Sequence, residues 1–370
     1  MQKKIKVLTI FGTRPEAIKM APLVKKLEND QRFISKVAIT AQHREMLDQV
    51  LDVFEISPDY DLNLMKTEQS LVDITTKILI ELTPILKREL PDFILVHGDT
   101  VTTFGSSLAA FYQKIRIAHV EAGLRTWDKY SPFPEEMNRQ MTDILADIFF
   151  APTEKSKENL EKENHLKKKI FVTGNTAIDA MQYTIKKDFQ HKLLQKKLEN
   201  KKIILLTMHR RENLGKPMIN VFQAVARIAK LYPNVYIIFP MHPNPKVRKD
   251  AQAILANIKN VDLIEPLEVV DFHNVMARSY CILTDSGGVQ EEAPSLGIPV
   301  LVLRNTTERP EGVQAGTLKL VGTSEDTVFK EIECLIKDKN YYDTMSKSSN
   351  PYGDGKACNR IIEALANYKD

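Results

Sequence analysis

Cysteine is scarce: Cys281, Cys334 and Cys358 are the only three in 370 residues. An odd number spread so widely offers neither a disulfide framework nor zinc-ligand spacing, which fits a reducing cytoplasm. There is one tryptophan, and aromatic residues make up 7% of the chain. Excess charge is small, since 52 Lys and Arg against 48 Asp and Glu leave +4. With no arginine-rich stripe, that excludes a general nucleic-acid binder. No apolar run approaches the roughly 20 residues a membrane helix needs. Neither a Walker motif nor a G-x-G-x-x-G fingerprint occurs, which lowers ATPase and NAD-enzyme readings. Repeats and low-complexity segments are absent too.

What is present is ordinary globular material, 43% hydrophobic and 27% charged, and the length predicts two domains. The basic start Met1-Gln-Lys-Lys runs through an apolar segment into Gly12-Thr-Arg-Pro-Glu16. No small-residue cleavage site intervenes, so this reads as a first strand and not a signal peptide. Ile5–Phe11 predicts that strand, and Pro15–Leu27 has apolar residues at helical spacing, with Pro15 suited to a helix start. Strands follow at Phe93–Val96, Ile115–Val120, Ile148–Ala151 and Ile170–Val172, with a helix at Thr103–Tyr112. After a Lys/Gln/Glu-rich stretch from Asp188 to Lys202 a second series begins. Its strands are Ile203–Leu206, Val235–Phe239, Val261–Ile264, Cys281–Leu283 and Val300–Leu303, with helices at Pro217–Leu231 and Lys246–Asn257. Short continuous apolar runs alternating with amphipathic helices indicate parallel strands covered on both faces. The expected fold is α/β: two Rossmann-like doubly wound domains, at 1–173 and 174–356, facing across a cleft.

In open parallel sheets, ligands bind beyond the carboxyl ends of the strands. The predicted strand ends lead into Gly12-Thr-Arg-Pro-Glu16, His97-Gly-Asp99, Glu121-Ala-Gly-Leu-Arg125, His209-Arg-Arg-Glu212, His242-Pro-Asn244 and Asp285-Ser-Gly-Gly288. Gly287 and Gly288 allow a backbone to approach a ligand closely, and a helix starting near Gly288 would aim its N–H groups at a phosphate. The plainer alternative is a strand–helix turn with Ser286 as N-cap. Arg309 and Arg14 are candidates to clamp a pyrophosphate, against a structural salt bridge for each. Asp99, Glu121 and the pair Glu135-Glu136 gather at one face of the first domain. The pair is expected in a helix first turn, where complementing the dipole is the alternative, as N-capping is for Asp99. His97-x-Asp99 and His119-x-Glu121 raise a metal reading, opposed by the absence of H-E-x-x-H and of cysteine ligands.

Nine segments in order go beyond generic α/β. They are Phe11-Gly-Thr-Arg-Pro-Glu-Ala-Ile-Lys19, Thr40-Ala-Gln-His-Arg-Glu-Met-Leu47, His97-Gly-Asp-Thr100, His119-Val-Glu-Ala-Gly-Leu-Arg125, Phe133-Pro-Glu-Glu136, Thr173-Gly-Asn-Thr176, Leu283-Thr-Asp-Ser-Gly-Gly-Val-Gln-Glu-Glu-Ala-Pro294, Thr306-Thr-Glu-Arg-Pro-Glu311 and Asn350-Pro-Tyr-Gly-Asp-Gly355. Together they resemble the bacterial non-hydrolysing UDP-N-acetylglucosamine 2-epimerases over essentially the whole chain.

The resemblance implies the glycosyltransferase-B architecture, with the C-terminal helix at about 357–370 packing back on the first domain. It also implies a homodimer with no metal and no redox cofactor; the cysteine, charge and apolar-run readings above add a cytoplasmic location and no nucleic-acid or membrane partner. The implied reaction is reversible epimerisation at C2, giving UDP-N-acetylmannosamine for teichoic-acid linkage units or other surface polysaccharides. The matching catalytic acids are Asp99, Glu121 and Glu135. Substrate contacts match Arg14, Lys19, His209, Phe272, Ser286, Gly287, Gly288, Glu292 and Arg309. Some relatives carry glutamine where this chain has Leu267, which puts a side-chain contact to uracil there in doubt. An effector site for a second UDP-N-acetylglucosamine matches Gln42, His43, Gln69 and His242. The alternatives are a UDP-sugar glycosyltransferase of the same fold, the hydrolysing epimerase, a non-catalytic nucleotide-sugar sensor, and a metal hydrolase using the two His-x-acid pairs.

Overall fold

The structure is a computed structural model and describes residues 3–41, 44–64, 69–191, 194 and 200–369. Its first seven strands are β1 (Ile5–Phe11), β2 (Phe33–Ile39), β3 (Tyr60–Asp61), β4 (Phe93–His97), β5 (Arg116–Val120), β6 (Ile148–Ala151) and β7 (Ile170–Val172). They pair in parallel in the order β3-β2-β1-β4-β5-β6-β7. The helices between and after them are α1 (Arg14–Glu28), α2 (Arg44–Val53), α3 (Leu71–Glu89), α4 (Val101–Tyr112), α5 (Glu135–Leu145), α6 (Glu154–Lys162) and α7 (Thr176–Thr184).

The unbroken apolar runs have a direct cause. Side chains alternate across a strand, so a sheet covered on both faces needs apolar residues at every position. Val7 and Phe11 of β1 join the core shared with α1, whereas Leu8 and Ile10 join the opposite core with Ile78, Leu82 and Leu86 of α3. On β4, Leu95 belongs to the first core and Ile94 and Val96 to the second.

The second series repeats the plan. Strands β8 (Lys202–Thr207), β9 (Val235–Pro240), β10 (Val261–Ile264), β11 (Cys281–Thr284), β12 (Val300–Val302) and β13 (Leu318–Leu320) form a parallel sheet ordered β10-β9-β8-β11-β12-β13. The accompanying helices are α8 (Lys216–Leu231), α9 (Pro245–Leu255), α10 (Val269–Ala277), α11 (Gly287–Glu292), α12 (Pro310–Gln314), α13 (Glu325–Lys337) and α14 (Lys339–Ser346). A final helix, α15 (Ala357–Ala366), inserts Cys358, Ile361, Ile362 and Leu365 into the core around α1.

Backbone contacts divide the chain into Met1–Tyr183 with Tyr352–Asp370, and Thr184–Pro351. The sequence reading puts the first boundary at 173. The ten-residue difference is essentially α7, whose Ala180 lies in the same core as β1 and α1. Both units are Rossmann-like and doubly wound, as expected. Strand order reverses between β1 and β4 in the first unit and between β8 and β11 in the second. Loops after those strands are where such sheets bind ligands. No described helix is long and apolar enough to cross a membrane.

Candidate active site

In the first unit the turn after β1 is fixed by a capping box. The Thr13 hydroxyl caps α1, and Glu16 Oε2 accepts the Gly12 and Thr13 amides at 3.0 and 2.7 Å. The other oxygen of Glu16 accepts the Thr100 hydroxyl at 2.5 Å, so this buried carboxylate ties the β1 turn to the β4 turn. Gly12 itself has no room for a side chain. A Cβ there would lie 1.9 Å from Thr40 Oγ1 and 2.6 Å from Thr102 Oγ1. The tight turn places Arg14, half-buried, in the first turn of α1 and Lys19 one turn further on.

Lys19 Nζ donates to Glu121 Oε2, and Asn175 Nδ2 donates to the same oxygen at 2.9 Å. Nε2 of the buried His97 lies 3.5 Å from it. Burial disfavours the Glu121 anion, but the Lys19 ammonium and His97 outweigh burial and hold the carboxyl well below the usual range. Glu121 also sits at φ +64, in the left-handed region. Non-glycine residues held there recur at functional sites.

Asp99 is not an N-cap. Thr100 caps α4 instead, its hydroxyl accepting the Thr103 amide. Asp99 is left to receive Arg139 Nη2 at 2.5 Å, while Asn138 Nδ2 bonds its carbonyl at 3.0 Å. Both partners are on α5, which opens with Glu135 and Glu136. The two acids differ in use. Glu136 is fully buried and accepts the Thr126 and Trp127 amides at 3.0 and 3.1 Å, holding a loop. Glu135, partly exposed, stands one turn before Arg139.

His119, wholly buried, spends both ring nitrogens: Nδ1 meets Asp143 Oδ1 at 2.6 Å and Nε2 meets the Gly98 carbonyl at 2.7 Å. Asp143 also receives Arg125 Nη2 at 2.6 Å. The ring braces the turns carrying Asp99 and Glu121 and has no nitrogen left for a metal. Among the described residues no His, Cys, Asp and Glu group could hold a metal ion.

In the second unit the buried Asp285, just past β11, organises the loop after β8. Its carboxylate accepts the His209 amide at 3.0 Å, the Arg210 amide at 2.9 Å and Asn213 Nδ2 at 3.0 Å. His209 Nδ1 also lies 3.3 Å from Asp285 Oδ1, which keeps the ring beside the residue that precedes Ser286-Gly-Gly288. The Ser286 hydroxyl makes no cap bond to α11. A Cβ on Gly287 would meet the Arg309 guanidinium at 3.7 Å and Arg210 Nη2 at 4.0 Å. Arg309 is aimed by Glu291, which accepts from its Nε. Two guanidiniums thus converge on a bare backbone, an arrangement suited to a diphosphate.

Glu292 Oε1 lies 3.8 Å from the Cβ position of Gly288, and its Oε2 lies 3.6 Å from His273 Nε2. Phe272 is the neighbour of His273 on α10. The His242 ring stacks on His209, centroids 5.8 Å apart and planes at 19°. Burial and then the His209 ring push the His242 imidazole below its ordinary value. Gln69 is in the segment leading into α3, whereas Gln42 and His43 lie outside the described residues.

Sequence reasoning gave no task to Asn175, Arg139, Glu291 or Arg210, and quoted Asp285 only within its motif. Asn175 lies in the Thr173-Gly-Asn-Thr176 segment and Arg210 beside His209, so adjacency was the available signal. Arg139 falls four residues after Glu135, on the same helix face.

Comparison with known proteins gives the family. The UDP-N-acetylglucosamine 2-epimerase family model matches residues 25–366. The chain is 59% identical over 363 residues to the UDP-N-acetylglucosamine 2-epimerase of Bacillus subtilis (strain 168), covering 98% of this chain and 95% of that one. It is 54% identical over 371 residues to the enzyme of the same name from Escherichia coli K12, covering 98% and 99%. A crystal structure of the Neisseria meningitidis UDP-GlcNAc 2-epimerase bound to UDP-GlcNAc superposes with a TM-score of 0.87 at 52% identity, covering 98% of this chain and all of that one. A capping turn, a pinned Glu121 and paired arginines over Gly287 thus sit in a chain that belongs to the UDP-N-acetylglucosamine 2-epimerase family.

Proposed function

We propose that this chain interconverts UDP-N-acetylglucosamine and UDP-N-acetylmannosamine by eliminating and re-adding UDP, with 2-acetamidoglucal between. The observation that carries the reading is Glu121, a largely buried carboxylate kept ionised by Lys19 and His97. The C2 hydrogen of the sugar is not acidic in the ground state. Cleavage of the anomeric C1–O bond sends its electron pair to the β-phosphate and leaves oxocarbenium character at C1. That cation acidifies C2–H so strongly that even a weakly basic carboxylate can remove it. The C2–H electrons form the C1=C2 bond, and an anion near the ring stabilises the charge as it develops. Return of a proton to the other face, with re-addition of UDP at C1, completes the inversion. The sequence of steps is redox-neutral and balances without a metal or redox cofactor.

Labour is divided between the groups described. Arg309 and Arg210, with the Ser286-Gly-Gly288 backbone, hold the departing diphosphate, supported by Arg14 and His209. Glu292 takes the ribose hydroxyls, since a carboxylate accepts from both, and Phe272 lies against the base. Asp99, Glu121 and Glu135 carry the proton chemistry, Asp99 being oriented by Arg139.

The UDP-N-acetylmannosamine formed would supply surface polysaccharides, teichoic-acid linkage units among them, from the cytoplasm. A homodimer is supported by exposed apolar side chains on the adjoining helices α3 and α4: Val72 (73% exposed), Ile80 (62%) and Tyr112 (63%). Activation by a second UDP-N-acetylglucosamine at Gln42, His43, Gln69 and His242 is supported by the His242–His209 stack, which gives an effector a direct route to a substrate-binding side chain.

The test incubates the protein with UDP-N-acetylglucosamine in D2O, with excess chelator and no acceptor, and follows C2–H by NMR. Epimerisation with deuterium at C2 is expected. Unlabelled substrate from folded protein overturns the reading, and free UDP with free sugar indicates the hydrolysing reaction instead.

A further inference from the structure

His97 ends β4 with its side chain buried, 4% exposed. Among the described residues its Nε2 has no hydrogen-bond partner. A buried polar nitrogen without a partner costs free energy, and native structures keep few of them without a compensating use. The acceptor it faces is the catalytic carboxylate: Glu121 Oε2, at 3.5 Å, a contact that already favours the anion but is too long for a normal hydrogen bond and would tighten with a small movement. The backbone of the ring is fixed, since the Thr103 hydroxyl donates to the His97 carbonyl.

The two oxygens of Glu121 are used unequally. Oε2 collects Lys19 from α1, Asn175 from the segment before α7, and the approach of His97. Oε1 faces the Gly98 turn, 3.7 Å from where a Cβ would stand. A carboxylate that must take up and return a proton changes its hydrogen-bonding needs twice in each cycle. Protonation weakens the hold of Lys19, and the long His97 contact can then shorten onto Oε2.

Resting on the epimerase reading above, we propose that His97 is a positioning residue for Glu121, completing the donor set on Oε2 during turnover so that Oε1 stays turned to the reacting carbon. It touches neither the sugar nor the nucleotide in this role. Its effect therefore falls on turnover and not on UDP affinity.

The experiment compares His97→Phe, which fills the space without a donor, with His97→Asn, whose amide can still donate. Each is measured for C2 proton exchange in D2O, for kcat and KM, and for UDP affinity by calorimetry. Expected is a fall in kcat of about tenfold or more in the Phe variant, UDP affinity within twofold of wild type, and partial recovery of kcat in the Asn variant. If the Phe variant does not fold, His97→Met serves as the donorless comparator. Wild-type-like turnover in the donorless variant overturns the proposal. So does an equal loss in both variants at unchanged UDP affinity, which would make the imidazole an acid–base group in its own right. A wild-type protein that binds UDP yet exchanges no C2 proton overturns the epimerase reading itself, and this role with it.

Discussion

Replacing Gly12 with alanine should damage the first unit before it touches any chemistry. The new methyl would stand 1.9 Å from Thr40 Oγ1 and 2.6 Å from Thr102 Oγ1, two buried hydroxyls that bond each other at 2.8 Å. To admit it, that pair must part. Overpacking of a tight interior costs about 1–3 kcal/mol, and a buried hydroxyl left unpaired about 1–3 kcal/mol. A loss on the order of 3 kcal/mol lies within that range, and in a unit of about 200 residues it lowers the melting midpoint by about 6–12 °C. Differential scanning calorimetry of Gly12→Ala reads this directly. A mutant cycle with Thr40→Ala isolates the cause: once the Thr40 hydroxyl is gone, the added methyl should cost about 1–3 kcal/mol less than in the parent. An unchanged midpoint, or strictly additive losses in the double variant, would refute the steric argument.

Other outcomes follow from the same residues. Asp99→Asn and Glu121→Gln should each lose about 100-fold or more in turnover while retaining UDP binding by calorimetry; full activity in both would remove them from the reaction. Arg309→Ala should weaken UDP about tenfold and leave uridine binding unaltered, and an unaffected UDP affinity would place the clamp elsewhere. In Lys19→Met, burial of Glu121 is no longer offset by the ammonium, so its pKa rises and the acid limb of the pH–rate profile moves to higher pH. The sign for stability is the same: the depressed folded pKa of Glu121 stabilises the parent above the ordinary carboxylate range, a contribution lost as pH falls through the folded value. An unmoved acid limb in the Lys19 variant would show that another group governs it.

The sheets were readable wherever a strand is buried on both sides. Ile148–Ala151, buried throughout, matches its strand to the residue; Val261–Ile264 does so too at the sheet edge, where only Val261 is buried. Three strands were missed for reasons their residues show. In β2, Ser35 and Lys36 interrupt the apolar run, β3 has only two residues, and β13 carries Lys319 between its two leucines. Site residues with charges at strand ends could be named from the chain alone, but their partners could not. Asn175 is 54 positions from Glu121 and Arg139 is 40 from Asp99. Only the folded sheet order brings such pairs together. The N-cap alternative for Asp99 failed because Thr100, one residue later, has the hydroxyl and backbone angles a cap needs.

The discontinuous first unit has a consequence for how the molecule is made. The apolar surface of α1 that receives Ile361 and Leu365 is translated near the start, and its cover near the end. The roughly 170 residues of the second unit come in between, about 10–30 s of synthesis at 5–20 residues per second. Throughout that interval the nascent chain carries an uncovered greasy stripe. A ribosome that stalls before Ala357 releases a product with that stripe still bare, a natural handle for chaperones and proteases.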